Sequence, residues 1–441
     1  MLHHDLTRRS FLKAMTAAGL AAPALRQRNG ALNHVTFGGA GMAATDIGFL
    51  TKDPRVRLHA IVDVDEVRSR AMREQFPKAL YFRDWRDVFA KEAGNFESCN
   101  VAIPDHMHAA IAMTALRHGK HVYCQKPLCH TLFESRRLAE EAAARPNLVT
   151  QLGVQRHSEP QDYRQAVRLI QTGTIGPVHT VYSWCTSTRE RAPQPDPLSG
   201  ADPVPPELAW DLWLGVAEER PFLAGQYHPG VWRSRPDFGE GLLGDFGPHV
   251  LDPVFTALEL TAPRTIRSLG PQPTAHSWPI ESEVIYDFPP TRRTAPRGVT
   301  IGWTDGNRRP PRQLMSDLGE GVELFPIGSA IIGTEGTMLL QHYGHPPRLF
   351  PEAKFRGLPM PDLPERGHRA EFIDACFGLD RASAPFTYAG PLNEAVVAGT
   401  VAQRFPGERL AWDAAKLRFD NLKANDHIRR RYRKGWEIAG L

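Results

Sequence analysis

The sequence predicts an α/β chain: an N-terminal Rossmann dinucleotide-binding domain, then an α+β domain built on a large, mainly antiparallel sheet. Three observations carry that expectation. Strand-like and helix-like segments alternate from Asn33 to Gly153, as in a parallel sheet with crossover helices. The first of these strands runs straight into a glycine-rich turn. Beyond residue 154 the alternation stops, and β-branched and aromatic runs are separated by glycines and prolines. At 441 residues the chain is long enough for two cores. The expected division is 1–24 as a signal peptide, 33–153 as the dinucleotide-binding domain and 154–441 as an α+β domain for substrate binding and oligomerisation.

The leader is read from Thr7-Arg8-Arg9-Ser10-Phe11-Leu12-Lys13, a twin-arginine motif. A small-residue apolar stretch from Ala14 to Leu25 follows it, with Ala22-Pro23-Ala24 as the cleavage signal. The stretch is short for a membrane span, and no other segment approaches ~18 uninterrupted apolar residues. The expectation is a periplasmic protein, delivered by the twin-arginine export machinery and off the membrane after processing. Net charge is only +4, and no basic run is interleaved with aromatics, so nucleic acid is not an expected partner. Arg429-Arg430-Arg431 reads as a solvated face. The five cysteines show no metal-ligand spacing, so they are expected to be free, mostly buried thiols, with no metal site.

Asn33 to Phe37 is the first predicted strand, and Gly38-Gly39-Ala40-Gly41-Met42-Ala43-Ala44 follows. Glycines there let the backbone approach a pyrophosphate on a helix N-terminus, which makes Gly38, Gly39, Gly41 and Met42 candidate cofactor contacts. Two registers fit the dinucleotide fingerprint: Gly39-x-Gly41-x-x-Ala44, or Gly38-x-Ala40-x-x-Ala43 with alanine at two glycine positions. Val56 to Val62 is the second strand. Asp63 comes 22 residues after Gly41, near the spacing at which a carboxylate takes the ribose hydroxyls. A carboxylate repels a 2′-phosphate, so NAD is the expected cofactor, and Arg68 keeps NADP open. The competing reading is that Asp63 or Asp65 caps the next helix.

Further alternation runs from Leu80 to Ala90 and into Val101–His130, where an apolar strand ends at Pro104-Asp105. A helix from His106 to His118 follows, and Gly119 stops it. A second short strand, His121 to Cys124, leads into Gln125-Lys126-Pro127. Ligands bind at the carboxyl ends of parallel strands, so Pro104, Asp105, His108, Gln125 and Lys126 are candidate cofactor contacts in the cleft. Phe133 to Ala144 and Leu148 to Gly153 complete the domain.

In the second half, strands are predicted at Val178–Trp184, Glu283–Phe288, Val299–Trp303 and Ala330–Ile332, with Gly333-Thr334-Glu335-Gly336-Thr337 as a hairpin turn. Pro193 to Pro206 is a candidate lid, and Trp210 and Trp213 read as core. Asp245 and His249 stand four apart in Gly244-Asp245-Phe246-Gly247-Pro248-His249, so on a helix they share one face. Because proline is tolerated in a first turn, Pro248 predicts a helix starting near Asp245. The positive end of its dipole would then keep His249 neutral.

The Pro-Asp-His-Met-His and Gln-Lys-Pro segments resemble signatures of the Gfo/Idh/MocA oxidoreductase family, in which the second usually reads Glu-Lys-Pro. Gln125 is thus a departure. The resemblance implies catalytic roles for Lys126, Asp245 and His249, and an NAD-dependent oxidoreductase acting on a CH–OH group of a sugar-like substrate. His249 is expected as general base, Lys126 as stabiliser of the developing oxyanion and Asp245 as their holder. Gln155, His157, Tyr227, His228, Trp232 and Arg233 are candidate sugar contacts, and the chain is expected to be a homo-oligomer. Two alternatives stand beside this: an NAD-dependent glycosidase working by transient oxidation, and a carbohydrate-binding protein on an inactive scaffold. Export implies a nicotinamide loaded in the cytoplasm and then kept.

Overall fold

The computed structural model describes residues 30–186, 198–319, 321–342 and 344–441. The expected signal peptide, 1–24, and residues 193–197 of the candidate lid lie outside the described residues.

Six parallel strands, in the order β3-β2-β1-β4-β5-β6, form the first sheet. They are β1 Leu32–Phe37, β2 Val56–Val62, β3 Leu80–Phe82, β4 Ser98–Val101, β5 His121–Cys124 and β6 Thr150–Leu152. β4 and β5 are buried at every position, as expected for strands covered on both faces. The crossover helices are α1 Met42–Leu50, α2 Arg70–Gln75, α3 Trp85–Glu92, α4 His108–Arg117 and α5 Leu132–Ala143. A capping box starts α5: the Thr131 hydroxyl accepts the Glu134 N–H, and the Glu134 carboxylate accepts the Thr131 N–H. That box lies five residues after Lys126 and fixes where the chain leaves the Gln-Lys-Pro turn.

After α6, Gln165–Gln171, the second sheet begins. Its nine strands are ordered β13-β12-β11-β7-β10-β9-β8-β14-β15. They are β7 Val178–Cys185, β8 Thr265–Ser268, β9 Glu283–Phe288, β10 Val299–Asp305, β11 Ile327–Gly333, β12 Thr337–Gln341, β13 Arg348–Phe350, β14 Arg409–Asp413 and β15 Arg418–Phe419. Every pair is antiparallel except β7 with β10. The remaining helices are α7 Trp210–Leu214, α8 Gly241–Leu258, α9 Arg312–Leu318, α10 Glu352–Phe355, α11 His368–Cys376 and α12 Phe386–Gln403.

One buried cluster joins the two sheets: Val35 and Val101 below, Leu243, Val254 and Val396 on α8 and α12, and Ile301 and Ile331 above. α12 presses on α5 so closely that a Cβ at Gly390 would sit 2.6 Å from the Ala139 Cβ. Asn393 on α12 accepts from the Leu128 N–H (2.9 Å) and donates to the Cys129 carbonyl (3.0 Å), bracing the segment after Lys126. The second domain therefore returns to hold the first. All five cysteines are buried and none forms a disulfide. Trp210 stacks on Trp213 (4.8 Å between centroids), as core, with Phe222, Tyr227 and Phe238 around them.

Candidate active site

The glycine turn resolves its register through packing. Gly38 has φ +112°, and a Cβ there would lie 2.6 Å from the Ala102 carbonyl oxygen and 2.9 Å from the Ala43 Cβ. Ala43 is fully buried at this helix–strand contact, whereas Ala44 is exposed. The first and third fingerprint positions are thus Gly38 and Ala43, and Ala40 occupies the middle one. Gly41 (φ +57°) precedes α1 with open space around its Cβ position, and Met42 is exposed at the helix N-terminus. The turn fits a dinucleotide: close backbone packing at Gly38, and open space at Gly41 beside the helix N-terminus.

Asp63 follows β2 as expected, but its carboxylate already has work within the protein. Oδ2 accepts the Gly39 N–H at 2.6 Å and Oδ1 the Asp65 N–H at 2.9 Å. Burial raises its pKa, and those two donors oppose the rise. Neither aspartate caps α2, whose N-cap is Ser69; Asp65 Oδ1 instead accepts from the Val67 and Arg68 N–H groups in the turn before it.

Lys126 and Asp245 meet across 119 residues. The ammonium contacts Asp245 Oδ1 and lies 2.8 Å from the Asp245 carbonyl oxygen. Arg233 Nε is 3.9 Å from the other carboxylate oxygen, and its guanidinium lies 4.3 Å over the Trp232 ring. Asp105 joins this group: burial pushes its pKa well above the usual carboxylate range, the Asp245 charge adds to that, and Arg233 and Lys126 oppose it. Two carboxylates and two cations therefore converge where β4 and β5 end. His249, half-buried, follows Asp245 by one turn on the same face of α8.

The start of α8 corrects one expectation. The helix begins at Gly241, not near Asp245, and both Pro248 and Pro253 lie inside it. Asp245 is in the second turn and His249 in the third, beyond the reach of the N-terminal dipole, which fades within a turn. The proline rule misplaced the boundary because the surrounding core holds the helix through both prolines.

Several expected contacts prove to be internal. His108 faces backbone rather than the cleft: Nδ1 lies 2.8 Å from the Pro127 carbonyl and Nε2 2.8 Å from the Ile103 carbonyl, and burial lowers its pKa to about 4. It ties the Pro104 turn to the Lys126 turn. Pro104 itself precedes a short 3-10 turn, Asp105–Met107. The Gln125 amide donates to Asp46 Oδ2 (2.8 Å), while Arg369 holds the other Asp46 oxygen. A glutamate at 125 would face a buried carboxylate, which accounts for the glutamine.

Among the expected sugar contacts, Tyr227 and Trp232 are buried in the aromatic cluster of Trp210 and Trp213. His228 Nε2 lies 2.8 Å from Asp65 Oδ2, and Nδ1 accepts from Trp213 Nε1 (3.2 Å). Gln155 Nε2 donates to the Tyr123 hydroxyl (3.2 Å). His157 Nδ1 pairs with Asp252 (2.9 Å), and Tyr388 contacts the same carboxylate. His157 also lines a cavity of about 210 Å³ further along α8, with Asp252, Thr256 and Glu371 but neither Lys126 nor Asp245. Of the six, only Arg233 reaches the Lys126–Asp245 pair.

Sequence reasoning missed Asp252, Glu240 and Tyr163. Asp252 and Thr256 continue the Asp245–His249 face at i+7 and i+11, a signal legible in the sequence. Glu240 and Tyr163 carry no such mark. Among the described residues no three His, Cys, Asp or Glu side chains are placed to hold a metal, and no helix is long and apolar enough to cross a membrane.

Comparison with known proteins agrees with the fold. Residues 33–152 match the family profile described as "Oxidoreductase family, NAD-binding Rossmann fold", and residues 192–275 match that family's "C-terminal alpha/beta domain". Inositol 2-dehydrogenase 1 of Saccharopolyspora erythraea is 32% identical over 130 residues, 29% of this chain and 38% of that protein. Levoglucosan dehydrogenase of Pseudarthrobacter phenanthrenivorans is 26% identical over 174 residues, 38% of this chain and 34% of that protein. These matches span well under half of either relative. The crystal structure of the WlbA dehydrogenase from Chromobactrium violaceum, in complex with NADH and UDP-GlcNAcA, superposes with a TM-score of 0.60 at 14% identity, covering 89% of this chain and 98% of that one.

Proposed function

We propose that the chain is a member of the Gfo/Idh/MocA oxidoreductase family, whose NAD-binding Rossmann and C-terminal alpha/beta models match residues 33–152 and 192–275, and that it oxidises a secondary hydroxyl of a sugar or cyclic polyol with NAD. The observation that carries this reading is the Lys126 ammonium held by Asp245 at the carboxyl end of β5, with His249 one helical turn away. The dehydrogenases of inositol and levoglucosan among its relatives suggest the substrate class.

Gly38, Gly39, Gly41 and Met42 would hold the pyrophosphate, and Asp63 would face the ribose. Bound NAD supplies the hydride acceptor. His249 takes the hydroxyl proton as general base. Lys126 stabilises the oxygen as negative charge develops on it, in a site where burial strengthens that interaction. Asp245 holds Lys126 through both its carboxylate and its carbonyl, so the ammonium is oriented before substrate arrives. Arg233 balances the second carboxylate. Export through the twin-arginine leader, and a nicotinamide retained through it, complete the proposal and rest on Thr7 to Lys13.

The test is reduced-nicotinamide absorbance with NAD and a panel including myo-inositol and levoglucosan. One polyol should turn over, and His249→Ala should cut that turnover by at least the ~10²-fold typical of a lost acid–base group. No reduction with any polyol, or undiminished turnover in His249→Ala, would overturn the assignment.

A further inference from the structure

Two prolines inside α8 leave carbonyls without their helical donors. An α-helical carbonyl at position i normally accepts from the N–H of i+4. Residue 253 is proline, so the His249 carbonyl loses that donor. The Tyr163 hydroxyl donates to that same carbonyl. Tyr163 is 1% exposed and sits in a π-helical turn, Pro160–Arg164, the kind of local widening that re-aims a side chain. On the far side, His342 Nδ1 contacts the Tyr163 oxygen.

The protons in this chain can be assigned. A carbonyl only accepts, so the single hydroxyl proton of Tyr163 goes to His249. His342 Nδ1 must then carry hydrogen and donate to Tyr163, which leaves Nε2 as a bare lone pair. The surroundings agree: burial, aided by the Arg156 charge, lowers the His342 pKa to about 3, and its buried Nε2 has no hydrogen-bond partner. The order is His342 N–H to Tyr163 O–H to the His249 carbonyl, from the end of β12 through α6's entry turn to α8.

We propose that Tyr163 is a positioning residue for the catalytic base, supplying to the His249 main chain the hydrogen bond that Pro253 cannot make, with His342 orienting the hydroxyl. This rests on His249 being the general base. A proline pair loosens α8 where the base is mounted, and the tyrosine fixes it again from a neighbouring element. Its function is to keep the imidazole in place against a substrate, where a displacement of about 1 Å can cost ~10²-fold in rate.

The experiment is a rescue. With NAD and the fastest polyol of the panel, Tyr163→Phe should lower kcat by about 10- to 100-fold while KM stays within about twofold. The imidazole NMR resonances of His249 should shift and broaden. Pro253→Ala restores the missing N–H, so Tyr163→Phe/Pro253→Ala should recover kcat and the His249 resonances to those of Pro253→Ala alone. A tyrosine that only filled space would give no such rescue. Wild-type kcat in Tyr163→Phe, or no recovery in the double variant, would overturn the proposal. Should Tyr163→Phe not fold, the double variant must fold and turn over; failure there overturns it equally. The underlying reading fails separately, through a fully active His249→Ala.

Discussion

Replacing Lys126 by methionine keeps the volume and removes one of two cations facing Asp105 and Asp245. The pair is sequestered, with side-chain exposures of 14% for Lys126 and 7% for Asp245. Truncating one partner of a buried ion pair costs ~3–5 kcal/mol, because the other charge is left without compensation. Here Arg233 Nε remains 3.9 Å from Asp245, and at that separation an effective dielectric near 20 leaves roughly 4 kcal/mol of attraction. Asp245 is therefore not fully abandoned, and the expected loss is at the low end, about 3 kcal/mol at pH 7. Asp245→Asn in the same background removes the orphaned charge and should return about 2 kcal/mol of it. Urea unfolding of the four proteins in this double-mutant cycle reads the coupling directly. Turnover should stay at least ~10²-fold down in both Lys126 variants, since the amide does not replace the ammonium. Stabilities that add within ~0.5 kcal/mol would refute the reasoning: the contact would then be incidental to both fold and site.

Glu240 immediately precedes α8, and burial pushes its pKa from 4.5 to about 8. The folded state thus binds a proton that the unfolded chain releases, so stability should fall as pH rises from about 4.5 to 8, and Glu240→Gln should flatten that slope in melts across the range. Its carboxyl lies 2.5 Å from Thr400 Oγ1, whose own proton can go to the Val397 carbonyl at 2.9 Å, a geometry that suits a protonated glutamate. Gln125→Glu sets a second carboxylate against Asp46; unfolding by urea should show a loss of roughly 2 kcal/mol or more at pH 7 that shrinks at pH 5, as the pair takes up a proton. Asp63→Ala frees the Gly39 and Asp65 N–H groups, so calorimetry should show NAD binding weakened by about tenfold or more and less discrimination against NADP. Equal affinity of the unmutated protein for both cofactors would count against that role.

What the sequence determined by itself was local. Alternating apolar runs marked β2 at Val56–Val62, β5 at His121–Cys124 and β9 at Glu283–Phe288 to the residue, and placed β1, β7 and α5 within one residue at each end. Those signals are legible because period and turn chemistry act over a few neighbouring residues. For the same reason the residues flanking Lys126 were enough to assign it to a strand end, and the spacing of Asp245 and His249 enough to put them on one helix face. The packing decided the rest. The glycine register turned on Ala43 being buried and Ala44 not. The α8 boundary turned on a core able to carry a helix through Pro248 and Pro253. Above all, a polar side chain takes its role from partners that share no sequence neighbourhood with it. Gln125 finds Asp46 79 residues away, and His228 finds Asp65 across 163. His108, His228 and His157 read like ligands in the sequence, and each is instead engaged inside the protein, because a buried polar group must be paired and only the tertiary contacts say with what.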